Sequence, residues 1–298
     1  MRKAIGIDLG GTKINAALIA DDGTILNKIT VKTINEGDPL VIIQQMAEMV
    51  NELSVNEDVS GVGIGTAGFV DSKEGKILAV GGNIKGWAWT DVRNLMSQYT
   101  NIPVFVENDA NCAAICESWL GAAKGLESFV MLTIGTGLGG ATWLPPAGLW
   151  RGSNFRAGEF GHSIFRPNGR PCTCGQKGCT ERYISGTGIE NNYRELTGKS
   201  LSGKEITAVY ESDEKAKAAV DKFASDFGIF LASMKNLIDP QAFILGGGVI
   251  ASKNLWWDRL IEEFNTQVND ASSLLILPAQ FKNEAGMLGA ARLALDLS

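Results

Sequence analysis

The stretch EFGHSIFRPNGRPCTCGQKGCTE, residues 159–181, holds the only histidine of the chain, His162, and three of its five cysteines, Cys172, Cys174 and Cys179. A glutamate closes each end, Glu159 and Glu181. The spacing His-x9-Cys-x-Cys-x4-Cys offers one imidazole and three thiolates, a donor set that suits tetrahedral zinc. Gly175 and Gly178 let the chain fold tightly around an ion, and Pro167 and Pro171 stiffen the approach. An odd cysteine count and a reducing cytosol both disfavour disulfides. The bland alternative is three reduced cysteines in a surface loop, but this loop is too polar to bury free thiols well. With four protein ligands no coordination position stays open for a catalytic water, so the zinc would be structural.

A second set of residues suits phosphate and a hydroxyl proton. Three glycine turns follow apolar runs: DLGGTK (8–13), GTGLGG (135–140) and GGG (246–248). Glycine lets main-chain N–H groups approach phosphate oxygens, and the Thr12 and Thr136 hydroxyls would be further donors. Hairpin turns demand glycine anyway, so each turn alone says little. Asp8, at a strand end beside the first turn, is well placed to orient Mg²⁺ through water. Neither a GxxxxGK[ST] loop nor a GxGxxG opening a helix occurs, which removes the P-loop and Rossmann readings. Asp109 closes the run IPVFVEND and begins a helix. It is either a general base for a substrate hydroxyl or, like Asn108, an N-cap. Asn108 and Asn83 can both hydrogen-bond a polyol, although Asn83 in GGNIKGW also reads as an ordinary turn asparagine. Cys112 and Cys116, four apart on one helix, read as small buried side chains. Trp87, Trp89, Trp256 and Trp257 fit either a core or a partner surface.

The elements that must carry these residues follow from periodicity. Residues 4–20 read as strand, glycine turn, strand, and 25–31 as a third strand. Pro39 opens a helix to about Leu53, with apolar residues at helical spacing. Residues 59–70 and 101–109 read as strands, and a helix starts at Asn108–Asp109. Residues 128–144 repeat the opening in character, with Thr133–Gly137 over Asp8–Thr12. A long amphipathic helix covers 213–240, a strand 241–250, and a last helix 286–297. The internal echo implies two α/β domains, 1–121 and 122–286, the second carrying the cysteine-rich loop. The boundary falls near Leu120 to Lys124, without a compositional linker.

Composition excludes whole classes. The 298 residues are 45% hydrophobic, ample for a large core, and the net charge is −6. No basic field is available to attract nucleic acid or an anionic membrane. Asp8 and the glycines interrupt the N-terminal apolar run too early for a signal peptide, and no run is long enough to span a membrane. The expectation is a cytoplasmic protein with no nucleic-acid and no membrane partner.

DLGGTK, VENDAN, IGTGLGG, AGEFGH, CTCGQKGCTE and LGGG occur in the order seen in the ROK family of bacterial sugar kinases and repressors, and the resemblance spans nearly the whole chain. It implies an α/β, actin-like ATPase (ribonuclease-H-like) fold of two domains around a cleft, with the final helix, 287–298, returning to the N-terminal domain. It implies an ATP:hexose 6-phosphotransferase using ATP, Mg²⁺ and a structural Zn²⁺. Asp109 matches the catalytic base. Asn83, Asn108, Glu159, His162 and Glu181 match residues that hold sugar hydroxyls, and His162, Cys172, Cys174 and Cys179 match the zinc ligands. Asp8, Gly10, Gly11, Thr12, Lys13, Gly135, Thr136, Gly137, Gly139, Gly246 and Gly247 match the nucleotide-phosphate side. Glu159 in AGEFGH resembles glucokinases and N-acetylglucosamine kinases of the family, and GGNIKGW resembles a stretch of several glucokinases, so glucose is the expected sugar. N-acetylglucosamine or N-acetylmannosamine is the alternative; many N-acetylmannosamine kinases resemble AGHxGH there. Repressors of the family carry an added helix-turn-helix segment, for which the turn at Asp8 leaves no room. A homodimer or homotetramer is implied by the family alone.

Overall fold

Apolar alternation and the placing of glycines build one strand pattern twice. The computed structural model describes residues 1–270 and 274–298. The chain opens with β1 (Lys3–Leu9), β2 (Lys13–Ala20) and β3 (Ile25–Lys32). β1 and β2 are buried almost throughout, whereas β3 keeps its alternate polar residues in water, as an edge strand does. There follow α1 (Pro39–Leu53), β4 (Gly61–Thr66), a hairpin of β5 (Phe69–Asp71) and β6 (Lys76–Ala79), α2 (Val92–Met96), β7 (Val104–Asn108) and α3 (Asp109–Trp119). Asp38 caps α1 through the Leu40 N–H and Pro39 occupies its first turn, where a missing N–H costs nothing. The strand expected over 59–70 is two strands, because Gly68 at φ +109° turns the chain back between β4 and β5. The sheet order is β3-β2-β1-β4-β7; β1, β2 and β3 are antiparallel, and β4 runs parallel to β1 and β7.

The second sheet repeats this. Its elements are β8 (Phe129–Ile134), β9 (Leu138–Leu144), β10 (Gly148–Trp150), α4 (Gly186–Thr197), α5 (Gly203–Ala208), α6 (Glu214–Ile238), β11 (Ala242–Gly246), α7 (Trp257–Gln267) and β12 (Leu275–Pro278). β8 pairs antiparallel with β9 and parallel with β11, which in turn pairs parallel with β12. β8 therefore stands to β9 and β11 as β1 stands to β2 and β4. The long helix α6 is capped by Asp213 and buries Phe223, Phe227 and Phe230 along one face. It stops at Ile238, ahead of Pro240, where Asp239 takes the left-handed conformation at φ +50°. The strand expected over 241–250 ends at Gly246. Gly247, at φ +88°, turns the chain into a 3-10 segment over Gly248–Leu255. Trp87 and Trp256 are core residues, and Trp89 is exposed.

The last helix, α8 (Ala285–Leu297), lies on the first sheet. A Cβ on Gly63 would fall 1.8 Å from the Ala290 carbonyl oxygen, and one on Gly6 2.0 Å from that of Met287. On the other side of the helix, a Cβ on Gly289 would fall 1.8 Å from the Cys112 oxygen in α3. Three glycines thus let α8 sit with its backbone almost against β1, β4 and α3. By contacts the chain forms two units: residues 1–125, 149–157 and 283–298, and residues 126–148 and 158–282. The excursion of 149–157 into the first unit is marked by no change of composition. No helix among the described residues is long and apolar enough to cross a membrane.

Candidate active site

In the first unit, the candidate residues Asp8, Asn108 and Asp109 lie at the carboxyl ends of the parallel strands. Asp8 is the penultimate residue of β1, level with Gly65 of β4, and Thr66 is level with Asn108 at the end of β7. β1 and β7 flank β4, so Asp8 and Asp109 start from strand positions roughly 10 Å apart, two interstrand spacings. This edge is where open α/β sheets bind ligands. Asn108 is the N-cap of α3: its Oδ1 accepts from the N–H groups of Ala110 (2.9 Å) and Asn111 (3.1 Å), and its Nδ2 donates to the Gly68 oxygen at 3.0 Å. Capping therefore falls to Asn108, and Asp109 accepts the N–H of its neighbour Ala110, at 2.9 Å. Asp109 is open to solvent and yet crowded by protein atoms. That crowding is the main reason its carboxyl is pushed above the ordinary aspartate value, against the Ala110 N–H and the Asn108 side chain, which pull it down. Burial likewise raises Asp8; Asn15, donating to Oδ2 at 3.3 Å, opposes this, the Asp109 charge adds to it, and Lys13 opposes it.

The turn after β1 is tight because of its neighbours. The Gly10 N–H donates to the Lys13 oxygen at 3.0 Å, and a Cβ on Gly11 would fall 2.3 Å from the Asn83 main-chain oxygen. Thr12, Lys13 and Asn83 are exposed beside it. Asn35 joins these parts: its Nδ2 donates to the oxygens of Gly11 (3.2 Å) and Asn83 (2.9 Å), and its Oδ1 accepts the Lys85 N–H at 2.7 Å. Sequence reasoning missed Asn35, whose partners lie 24 and 48 residues away. It also missed Glu107, buried at the end of β7, which accepts from the Asn108 N–H and Asn111 Nδ2 (both 2.9 Å) and from Arg151 Nε at 2.6 Å.

In the second unit the matching turns also sit at strand ends. The Gly135 N–H donates to the Gly137 oxygen at 2.9 Å, and the start of α4 fastens the turn: the Gly186 N–H donates to the Gly135 oxygen at 2.8 Å, and the Thr187 hydroxyl to the Thr136 oxygen at 2.7 Å. Gly139 pairs with Thr133, and so does Gly246 from the other side. Glu181, expected among the sugar-facing residues, has one carboxylate oxygen committed to this turn. Its Oε2 accepts the Leu138 N–H at 3.0 Å and stands where a Cβ on Gly137 would be.

The ligand atoms of His162, Cys172, Cys174 and Cys179 all lie within 4.8 Å of one another. Cys174 and Cys179 sulfurs are 3.6 Å apart, and His162 Nδ1 is 3.8 Å from the Cys172 sulfur. Thiolates about 2.3 Å from a tetrahedral ion stand about 3.8 Å from each other, so the donor set and its spacing fit zinc. The other ring nitrogen of His162, Nε2, faces Glu159 Oε2 at 4.0 Å. The loop is fastened to the core by side chains the sequence did not flag. Arg166 lies over the rings of Phe165 and Tyr183 and pairs with buried Asp226 at 2.6 Å, while Arg170 lies over the Tyr183 ring and pairs with Glu195.

Residues 4–297 match the family model described as ROK family. The chain belongs to the ROK family. It is 31% identical over 306 residues to a glucokinase of Thermotoga maritima, covering 97% of this chain and 96% of that protein. It is 32% identical over 295 residues to a β-glucoside kinase of Listeria innocua, with 97% and 96% coverage. The structure of a ROK family glucokinase from Streptomyces griseus in complex with glucose and AMPPNP superposes with a TM-score of 0.83 at 33% identity, over 99% of each chain. The fold is accordingly the actin-like α/β fold of ROK proteins, and the doubled strand pattern is its signature here. The reactive side chains clustered at residues 159–181 occupy one loop, tied down by Arg166 and Arg170.

Proposed function

We propose that this ROK protein is an ATP-dependent sugar kinase that phosphorylates the 6-hydroxyl of a hexose, with glucose as the substrate. The observation that carries the reading is the division of labour at the start of α3. Asn108 caps the helix, which leaves the raised carboxyl of Asp109 available to a substrate. Asp109 would accept the proton of the sugar hydroxyl as that oxygen attacks the γ-phosphorus of ATP and the bond to the β-phosphate oxygen breaks. Asn83, Asn108, Glu159, His162 and Glu181 are the residues that would hold the remaining hydroxyls. Carboxylates accepting from neighbouring hydroxyls give directional selectivity. The turns at Asp8–Lys13, Gly135–Gly139 and Gly246–Gly247 would hold the phosphates through main-chain N–H groups. Mg²⁺, when bound, offsets phosphate charge, and Asp8 is the carboxylate that would orient it.

His162, Cys172, Cys174 and Cys179 would hold zinc, which when bound keeps the loop in one shape. His162 faces the thiols through Nδ1 and Glu159 through Nε2, which supports a double role of metal ligand and substrate contact. Likeness to a β-glucoside kinase supports a second reading, a β-glucoside as the sugar. An ADP-release assay with Mg·ATP against glucose, N-acetylglucosamine, N-acetylmannosamine, fructose, allose and cellobiose tests both. Turnover on glucose establishes the first reading, and turnover confined to cellobiose the second. Silence across the panel from folded, zinc-loaded protein refutes both readings and favours an untested sugar or a sensor role.

A further inference from the structure

A pocket of about 830 Å³ lies in the first unit, bordered by edge strand β7 and the end of α8. Its size is that of a small-molecule site, roughly 300–1,000 Å³. Its lining contains three cations, Lys73, Arg93 and Arg151, and no acidic residue, although the chain as a whole carries six more negative than positive charges. Arg93 lines the pocket and is fixed by backbone: it donates to the carbonyl oxygens of Val104 (3.0 Å), Ser72 (3.1 Å) and Lys73. Among the described residues neither Lys73 nor Arg93 forms an ion pair. Arg151 pairs with Glu107 at 2.6 Å. The lining also holds apolar side chains, among them Ile102, Phe105, Leu293 and Leu297.

Two cations without an ion-pair partner favour a dianion over a monoanion, because each added charge gains from both. Apolar lining adds affinity only for a ligand with an apolar body. Together they select a phosphate monoester carrying a carbon skeleton, rather than inorganic phosphate or a carboxylate.

The pocket also has a route to the start of α3. Arg151 donates to Glu107 Oε2, and Glu107, 1% exposed at its side chain, accepts from the Asn108 N–H and Asn111 Nδ2 through Oε1. Asn108 is the cap of the helix that begins at Asp109. An anion drawing on Arg151 weakens the partner of a buried carboxylate, and the polar network around Glu107 must adjust.

We propose that this pocket binds a small organic phosphate monoester, and that its occupancy is transmitted through Arg151 and Glu107 to the cap of α3. The test uses the full-length protein and phenyl phosphate as probe. Calorimetry is expected to show saturable binding, weaker for inorganic phosphate, which lacks the ring. The double variant Lys73→Glu/Ser97→Glu, made at two exposed positions, is expected to weaken phenyl phosphate binding about tenfold or more. Amide exchange at Ala110 and Asn111 is expected to change when the probe saturates the wild type. Absence of saturable binding, or equal affinity in the double variant, overturns the site. Binding without any change at those two amides overturns the transmission. Neither arm measures turnover, so failure here is distinguishable from failure of the kinase reading.

Discussion

Asp109→Asn separates chemistry from architecture at one position. Asn108 makes the two capping bonds of α3, at 2.9 and 3.1 Å, so the helix keeps its cap when residue 109 changes. The bond Asp109 accepts from the Ala110 N–H is also open to an asparagine oxygen. Crowding works against the ionised carboxyl, as it does at Asp8, so the variant should be no less stable than the wild type at neutral pH. Turnover should fall by about 10²–10⁴-fold, the usual worth of a positioned general base. Removing the cap instead, by Asn108→Ala, should cost about 1 kcal/mol in stability. The assays are ADP release at saturating sugar and thermal unfolding of both variants. The pH profile adds a second check. A base works when ionised, and crowding raises the Asp109 carboxyl, so kcat/KM should climb with pH through a value above the ordinary aspartate range. Asp109→Asn should abolish that limb. Turnover within a few-fold of wild type, or an unfolded variant, would refute the division of labour between the two residues.

Other perturbations test neighbouring parts. Asp8 is raised by burial, so in the folded protein its ionisation costs stability as pH climbs from the ordinary aspartate range through the folded value, and costs nothing below it. Asp8→Asn should raise Tm by a few degrees at neutral pH in calorimetry without nucleotide, the gain vanishing in acid; a lower neutral Tm contradicts this account. Cys179→Ser should lose bound zinc in elemental analysis, lower the Tm and lose turnover, whereas full metal content in the variant counts against Cys179 as a ligand. Gly63→Ala should destabilise by about 3 kcal/mol or more in denaturant unfolding, since the added carbon meets the fixed Ala290 oxygen; a loss under about 1 kcal/mol means α8 is not held that close.

What could be read from the sequence was what is local along it. His162 and the three cysteines lie in one short loop, and their spacing alone suggested a converging donor set, which the geometry now displays. The antiparallel openings of both sheets were legible because strand, glycine turn and strand follow one another directly. The split at Gly68 and the stop at Gly246 were not, since a buried strand and a glycine turn leading out of it share the same apolar composition. Glu107 read as one polar letter in a strand, and its partner Arg151 lies 44 residues away. Arg166 and Asp226 are separated by 60 residues, so nothing near either one announces the pair. Helix α7 buries only Leu260 and Phe264 fully, too sparse a stripe to stand out. The pocket beside β7 is assembled from segments scattered from Ser72 to Leu297 and has no linear signature.

The glycines under α8 matter before the molecule is complete. β1 and β4 leave the ribosome long before residues 285–297 are made, so the sheet face that α8 covers stays bare while nearly all of the second unit is synthesised. A nascent chain in that state is exposed to association through its apolar surface. At Gly6 and Gly63 that waiting face carries no side chain. The same smoothness that later admits the helix backbone leaves less oily surface for another chain to grip in the meantime.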